Sequence, residues 1–92
     1  MSTDYPAARA AAGIPAAGRL LHWFDSGWCA AAHREVALRP GSDHARVRYA
    51  LRQFGPERDS RSCRAVFAKG VRAKLAHYRA LGLLDPDADM PR

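Results

Sequence analysis

The chain has 92 residues, with 15 Lys and Arg against 9 Asp and Glu, and a formal net charge of +6. A chain of this length forms one domain and buries only about 60–65% of the surface that its unfolded form exposes. Since this leaves little room for a core, a catalytic cleft and a cofactor site together, we expect a protein that is not an enzyme and uses no cofactor.

Alanine and arginine dominate the composition, and β-branched residues are few. Alanine and arginine are strong helix formers, whereas valine, isoleucine and threonine favour strands. The composition therefore predicts an all-α fold, a small single-domain bundle of about four to five helices of which the last is the longest. We expect the helical domain to span residues 1–84, followed by a flexible acidic tail over residues 85–92.

The first 38 residues are predicted to form two or three helices. Asp4 is placed to cap a short first helix, and Pro15 is suited to start the next one. The segment Asp25–Gly27 has two interpretations. It is a break followed by a third helix over residues 28–38, or it is a kink at Gly27 in a single helix over residues 15–38.

The next helix is expected to begin after Pro40-Gly41, the clearest break in the chain. Ser42 or Asp43 caps it, and it runs to about Phe54, where Gly55-Pro56 ends it. One apolar face follows helical spacing; its members are Val47, Ala50, Leu51 and Phe54.

The last helix is the best-defined element and is predicted over about residues 61–81. Ser60 is a plausible cap, and Gly82 is placed to end the helix in a left-handed conformation. Gly70 lies in the middle, where glycine costs about 1 kcal/mol relative to alanine, so we expect a close helix crossing there. Leu83-Leu84 is expected to fold back on the core. The predicted apolar stripe consists of Phe67, Val71, Leu75 and Tyr78.

The positive charge is concentrated in one half of the chain. Residues 34–79 contain 12 basic and 4 acidic residues, a net charge of +8. Such a region attracts phosphate backbones, and arginine suits bidentate contacts to phosphate or guanine. The alternative is a solvated helix surface that keeps the protein soluble. The candidate residues for binding nucleic acid or an acidic partner are Arg46, Arg48, Arg52, Arg61, Lys69, Arg72, Lys74 and Arg79.

Residues 43–84 combine a shorter helix, a turn and a longer helix that closes with the segment RAKLAHYRALGLLD. This order resembles a helix-turn-helix. The closing segment is similar to the end of a winged-helix recognition helix, where a leucine pattern ending in Leu-Gly-Leu leads into the wing. The resemblance implies a DNA-binding protein in which the last helix is the recognition helix.

The cysteines and histidines are residue types that bind zinc, but their spacing argues against a complete zinc site. Cys29 and His33 are four residues apart and would meet on one helix face. However, Cys63 and His77 would be about 21 Å apart along one helix, too far to share an ion. We therefore expect two free thiols and no bound metal.

Trp23, Phe24 and Trp28 form an aromatic cluster in the first half of the chain. The simpler interpretation is a core around which the first helices pack. The functional interpretation makes Trp23 and Trp28 anchors for a protein partner, because tryptophan is enriched in interface hot spots.

Two classes of function remain. The first is a small basic nucleic-acid-binding protein, a DNA-binding regulator of phage or plasmid type. The second is a protein-binding inhibitor of the anti-CRISPR kind, which binds an acidic or nucleoprotein partner through the same candidate arginines. The first 12 residues do not resemble a secretory signal, and no apolar run approaches the roughly 20 residues of a membrane span. We therefore expect a cytoplasmic protein with no membrane partner.

Overall fold

The computed structural model describes residues 2–86. In this range the regular secondary structure consists of helices alone, and there is no strand. It confirms the predicted fold class, a small helical bundle whose last helix is the longest. The five helices in the described range are α1 (Tyr5–Ala11), α2 (Arg19–Ala30), α3 (Arg34–Ala37), α4 (Asp43–Phe54) and α5 (Arg61–Ala80).

The main packing contact of the fold is the crossing of α2 and α5, where two buried glycines meet. A Cβ atom added to Gly27 would lie 2.1 Å from the carbonyl oxygen of Phe67, and one added to Gly70 would lie 2.3 Å from that of Phe24. The predicted close crossing at Gly70 is thus confirmed. The predicted break at Gly27 is wrong, because α2 continues through this glycine and uses its small size to approach α5.

The first half of the chain also differs from prediction at the ends of α2. The helix begins at Arg19 rather than Pro15, since Gly18 has a φ of +97°, outside the right-handed helical region. The chain leaves α2 after Ala30, and the short α3 then carries the fully buried Val36 into the core. Neither the predicted third helix nor the single kinked helix is present.

The boundaries of the other helices agree with the capping signals. The side chains of Asp4 and Ser42 accept hydrogen bonds from the first turns of α1 and α4. Ser60 precedes α5 as predicted, although its side chain makes no capping hydrogen bond. Gly82 follows α5 with a φ of +75°, the expected left-handed conformation.

The core lies between α2, α4 and α5. Tyr78, the last member of the predicted apolar set on the last helix, is only half-buried. Leu84 packs against the core, while Leu83 is 67% exposed. The predicted return of Leu83-Leu84 therefore holds for Leu84 alone. Of the predicted tail, residues 87–92 lie outside the described residues. The fully buried larger side chains are Phe24, Val36, Phe67, Val71 and Leu75.

Tyr5 connects the helix α1 to the rest of the bundle. Its ring lies edge-on to Trp28, with centroids 5.5 Å apart, and its hydroxyl donates a hydrogen bond to Asp25. At the same end, Thr3 and His77 are joined by a hydrogen bond of 3.1 Å. Burial, the hydrogen bond to Asp25 and the negative charge of Asp25 together raise the pKa of Tyr5 to about 12.

This raised pKa predicts a loss of stability at high pH. The folded chain holds the Tyr5 proton more tightly than the unfolded chain, in which the pKa is about 10, so the contribution of Tyr5 is complete below pH 10. It should disappear as the pH rises from about 10 through 12. We expect Tyr5→Phe to show a shallower fall in the free energy of unfolding over that range. The tyrosinate absorbance of the wild type minus that of the variant reports the ionisation of Tyr5. This difference should titrate near pH 12. A midpoint near pH 10 would contradict the assignment.

Candidate nucleic-acid interface

Four arginines converge on one open cavity of about 760 Å³. The cavity lies between the last turns of α4, the connection over residues 55–60 and the beginning of α5. We call it the arginine groove. Its lining comprises Arg48, Arg52, Arg58 and Arg64, together with Leu51, Gly55, Pro56 and Glu57.

The wall formed by α4 follows from helical spacing. Arg48 and Arg52 are four residues apart and exposed, whereas Val47 and Ala50 are buried on the other side of the helix. Leu51 lies between these two surfaces, is half-buried and also lines the groove. The burial of one α4 face thus directs both arginines into the groove.

The floor of the groove is formed where the chain leaves α4. Gly55 lies so close to the helix that an added Cβ atom would be 2.6 Å from the carbonyl oxygen of Leu51. Pro56 is buried, and its carbonyl oxygen accepts a 3.0 Å hydrogen bond from Nη1 of Arg64. This bond fixes one of the four guanidinium groups in place.

The groove is strongly positive, because its four arginines face a single carboxylate, Glu57. The ion pairs seen in the described part of the chain centre on Asp43 and do not involve these arginines. Their charges are therefore available to an anion from outside the protein.

A second basic surface runs along α5. Arg61, Lys69 and Arg72 are all exposed, at spacings that keep them on one side of the helix. We call these three residues the α5 stripe. Arg61 and Arg72 are separated by a rise of about 16 Å along the helix axis. The stripe can thus contact more than one phosphate of an extended polyanion.

Two of the predicted binding residues hold the fold together instead. Asp43 is only 6% exposed, and Arg79 donates two hydrogen bonds to its carboxylate, of 2.7 and 2.5 Å. Nη1 of Arg46 donates a third, of 3.0 Å, and its Nε bonds the carbonyl oxygen of Arg39. A buried carboxylate needs such partners. Arg46 and Arg79 are therefore not part of the candidate interface.

Lys74 is a third predicted binding residue that has partners within the fold. Its ammonium nitrogen lies 4.7 Å from the ring centroid of Trp28 and 5.0 Å from that of Tyr78. Both distances are in the range of a cation–π contact. The half-buried Lys74 thus covers the edge of the aromatic cluster and contributes little to an exposed basic surface.

The aromatic cluster itself lies at the edge of the core. Trp23 is half-buried and lies edge-on to Phe67, with ring centroids 6.3 Å apart. Trp28 is half-buried between Tyr5, Lys74 and His77. These contacts support the interpretation of Trp23 and Trp28 as packing residues.

The cysteines lie in different surroundings. Cys29 is exposed, Cys63 is buried, and both are free thiols. His33 stacks on Phe54, with ring centroids 4.5 Å apart. Within residues 2–86, no group of three or more His, Cys, Asp or Glu side chains is placed to hold a metal ion.

Two of the four arginines of the groove were not predicted from the sequence. Arg58 lies in the connection between α4 and α5, where no periodicity indicates its direction. Arg64 lies one turn into α5, three residues after Arg61, and a helical wheel places it between the exposed stripe and the core. Its proximity to the end of α4 depends on how the two helices pack.

Comparison of the chain with protein-family models, curated proteins and solved structures gives no match. No helix within the described range is both long enough and apolar enough to span a membrane. A functional interpretation therefore depends on the geometry of the basic surfaces.

Proposed function

We propose that this chain is a small nucleic-acid-binding protein, a DNA-binding regulator that contacts phosphates through the arginine groove and the α5 stripe. The observation that carries the proposal is the convergence of four arginines on one cavity with a single carboxylate among them. Arginine is suited to this role because its planar guanidinium group donates paired hydrogen bonds to phosphate oxygens.

The charge distribution within the fold supports the same function. The groove and the α5 stripe together present seven basic side chains, whereas Arg46, Lys74 and Arg79 are engaged within the fold. Contacts to the phosphate backbone position a protein on nucleic acid without reading its sequence. Six of these seven side chains are exposed and Arg64 is half-buried, so we expect about five simultaneous phosphate contacts.

The test is the salt dependence of binding to duplex and single-stranded oligonucleotides. With about five phosphates neutralised on duplex DNA, affinity should fall roughly 10²–10³-fold between about 50 and 200 mM salt, because counterions are released on binding. Arg52→Gln and Arg72→Gln should each weaken binding and reduce the salt slope by about 1. Fluorescence anisotropy measures both quantities.

Arg19→Gln is the matched control, since Arg19 is also exposed but lies outside the groove and the stripe. It should leave the affinity nearly unchanged. The thermal midpoint of all three variants should stay close to that of the wild type, because isolated surface charges contribute little to stability. Absence of binding to any oligonucleotide at about 50 mM salt would disprove the proposed function.

A protein-binding inhibitor of the anti-CRISPR kind is the second candidate, and one observation favours it. Leu38, Leu81 and Leu83 are 63%, 57% and 67% exposed. Leu38 and Leu83 line the same small cavity. Exposed apolar residues that cluster mark contact sites for proteins. Binding to purified oligonucleotides without any other protein favours the first candidate over this one.

A further inference from the structure

The arginine groove is concave, and this shape is not needed for contacting a nucleic-acid backbone. Backbone phosphates are contacted equally well by exposed cations on a convex helix, as the α5 stripe provides. A cavity of about 760 Å³ instead lies in the size range of sites for small ligands and cofactors. The groove therefore has room for a whole nucleotide rather than one bridging phosphate.

The charge of the groove favours a dianion. Four guanidinium groups face one carboxylate. A phosphodiester carries a single negative charge, whereas a phosphate monoester carries about −1.5 to −2 at neutral pH and offers three acceptor oxygens. The monoester at the end of a nucleotide matches this excess of positive charge better than a bridging phosphate does.

The rest of the lining is suited to the remainder of a nucleotide. The half-buried Leu51 provides apolar surface against which a sugar or base can pack, and the exposed Glu57 offers acceptors for a hydroxyl or an amine. The hydrogen bond from Arg64 to the Pro56 carbonyl oxygen holds one arginine in position before any ligand arrives. Such preorganisation lowers the cost of ordering the site on binding.

We propose that the arginine groove binds a nucleotide through a terminal phosphate monoester, supplied by the end of a nucleic-acid strand or by a free nucleotide. For a strand end, this proposal rests on the proposed function. The guanidinium groups of Arg48, Arg52 and Arg64 bind the phosphate, and the α5 stripe contacts phosphates farther along the strand.

The test compares one labelled oligonucleotide carrying a terminal phosphate with the same strand ending in a hydroxyl. The phosphorylated strand should bind about 10- to 100-fold more tightly, the factor expected from one additional charge-assisted hydrogen bond. Arg48→Gln and Arg52→Gln should reduce this ratio towards 1. Arg72→Gln, in the α5 stripe, should weaken both strands and leave the ratio unchanged. Since all three residues are exposed, an unchanged thermal midpoint shows that each variant is folded.

Competition and direct calorimetry separate the two sources of the phosphate. A nucleoside monophosphate should displace the phosphorylated strand, whereas the nucleoside should not. Equal affinity for both strands, with competition by the monophosphate, assigns the groove to a free nucleotide. Calorimetric binding of the monophosphate that is lost in Arg52→Gln, without binding of any strand, supports the groove and disproves the proposed function. Equal affinity for both strands and no binding of the monophosphate overturns the proposal.

Discussion

Replacing Gly70 with alanine should lower the free energy of unfolding by about 2 kcal/mol, although alanine is the better helix former. The added methyl carbon would lie 2.3 Å from the carbonyl oxygen of Phe24 and 2.9 Å from the amide nitrogen of Trp28. Both atoms belong to the backbone, so no change of rotamer relieves the clash and α2 has to move away from α5. Overpacking costs about 1–3 kcal/mol and occasionally more, and it outweighs the gain of about 1 kcal/mol in helix propensity.

Urea denaturation followed by circular dichroism measures this effect. Ala65→Gly is the matched control, because Ala65 is exposed on the same helix and its loss should cost only the helix propensity of about 1 kcal/mol. A Gly70→Ala variant that is more stable than the wild type would show that the helices do not approach as closely as described.

The two glycines should also be coupled. Gly27→Ala places a carbon 2.1 Å from the carbonyl oxygen of Phe67 and should be as destabilising as Gly70→Ala. Once either substitution has moved α2 away from α5, the methyl group added by the second substitution causes a smaller steric clash. The double variant should therefore lose less stability than the sum of the two single losses, as expected for residues that share one contact.

Local signals predicted the second half of the fold better than the first. Around α4 and α5, Ser42, Gly82 and the apolar spacing all indicate the same boundaries, so the predicted and observed helices agree. Gly27 follows Asp25 and Ser26, which is a typical helix-ending composition. Its actual role depends on the backbone of Phe67, 40 residues later in the sequence, and no local pattern carries that information.

The candidate site shows the same division between local and distant information. Helical spacing places Arg48 and Arg52 correctly on an exposed face of α4. Spacing does not show that Arg79 reaches Asp43 across 36 positions of sequence, or that Arg64 reaches the end of α4. A basic residue can be placed on a helix face from sequence, but its partner is decided by the packing of that helix against the others.

The ion cluster around Asp43 is expected to contribute strongly to stability. Asp43 and its two arginine partners are each at least four-fifths buried, with side-chain exposures of 8%, 11% and 15%. In Asp43→Ala, Arg46 and Arg79 keep their positive charges but lose the carboxylate that accepts their hydrogen bonds. Removing one member of a buried ion pair costs about 3–5 kcal/mol, a large part of the 5–15 kcal/mol that stabilises a typical domain.

Comparison of Asp43→Ala with Asp59→Ala tests this expectation, since Asp59 is exposed in the connection between α4 and α5. The thermal midpoint should fall steeply for the first variant and by little for the second, because substitutions of exposed residues usually change stability by less than about 0.5 kcal/mol. Combining Asp43→Leu with Arg46→Met and Arg79→Met should recover much of the loss, since the three buried charges are then removed together. An Asp43→Ala variant as stable as Asp59→Ala would mean that the cluster is open to water in solution and that Arg46 and Arg79 belong to the exposed basic surface.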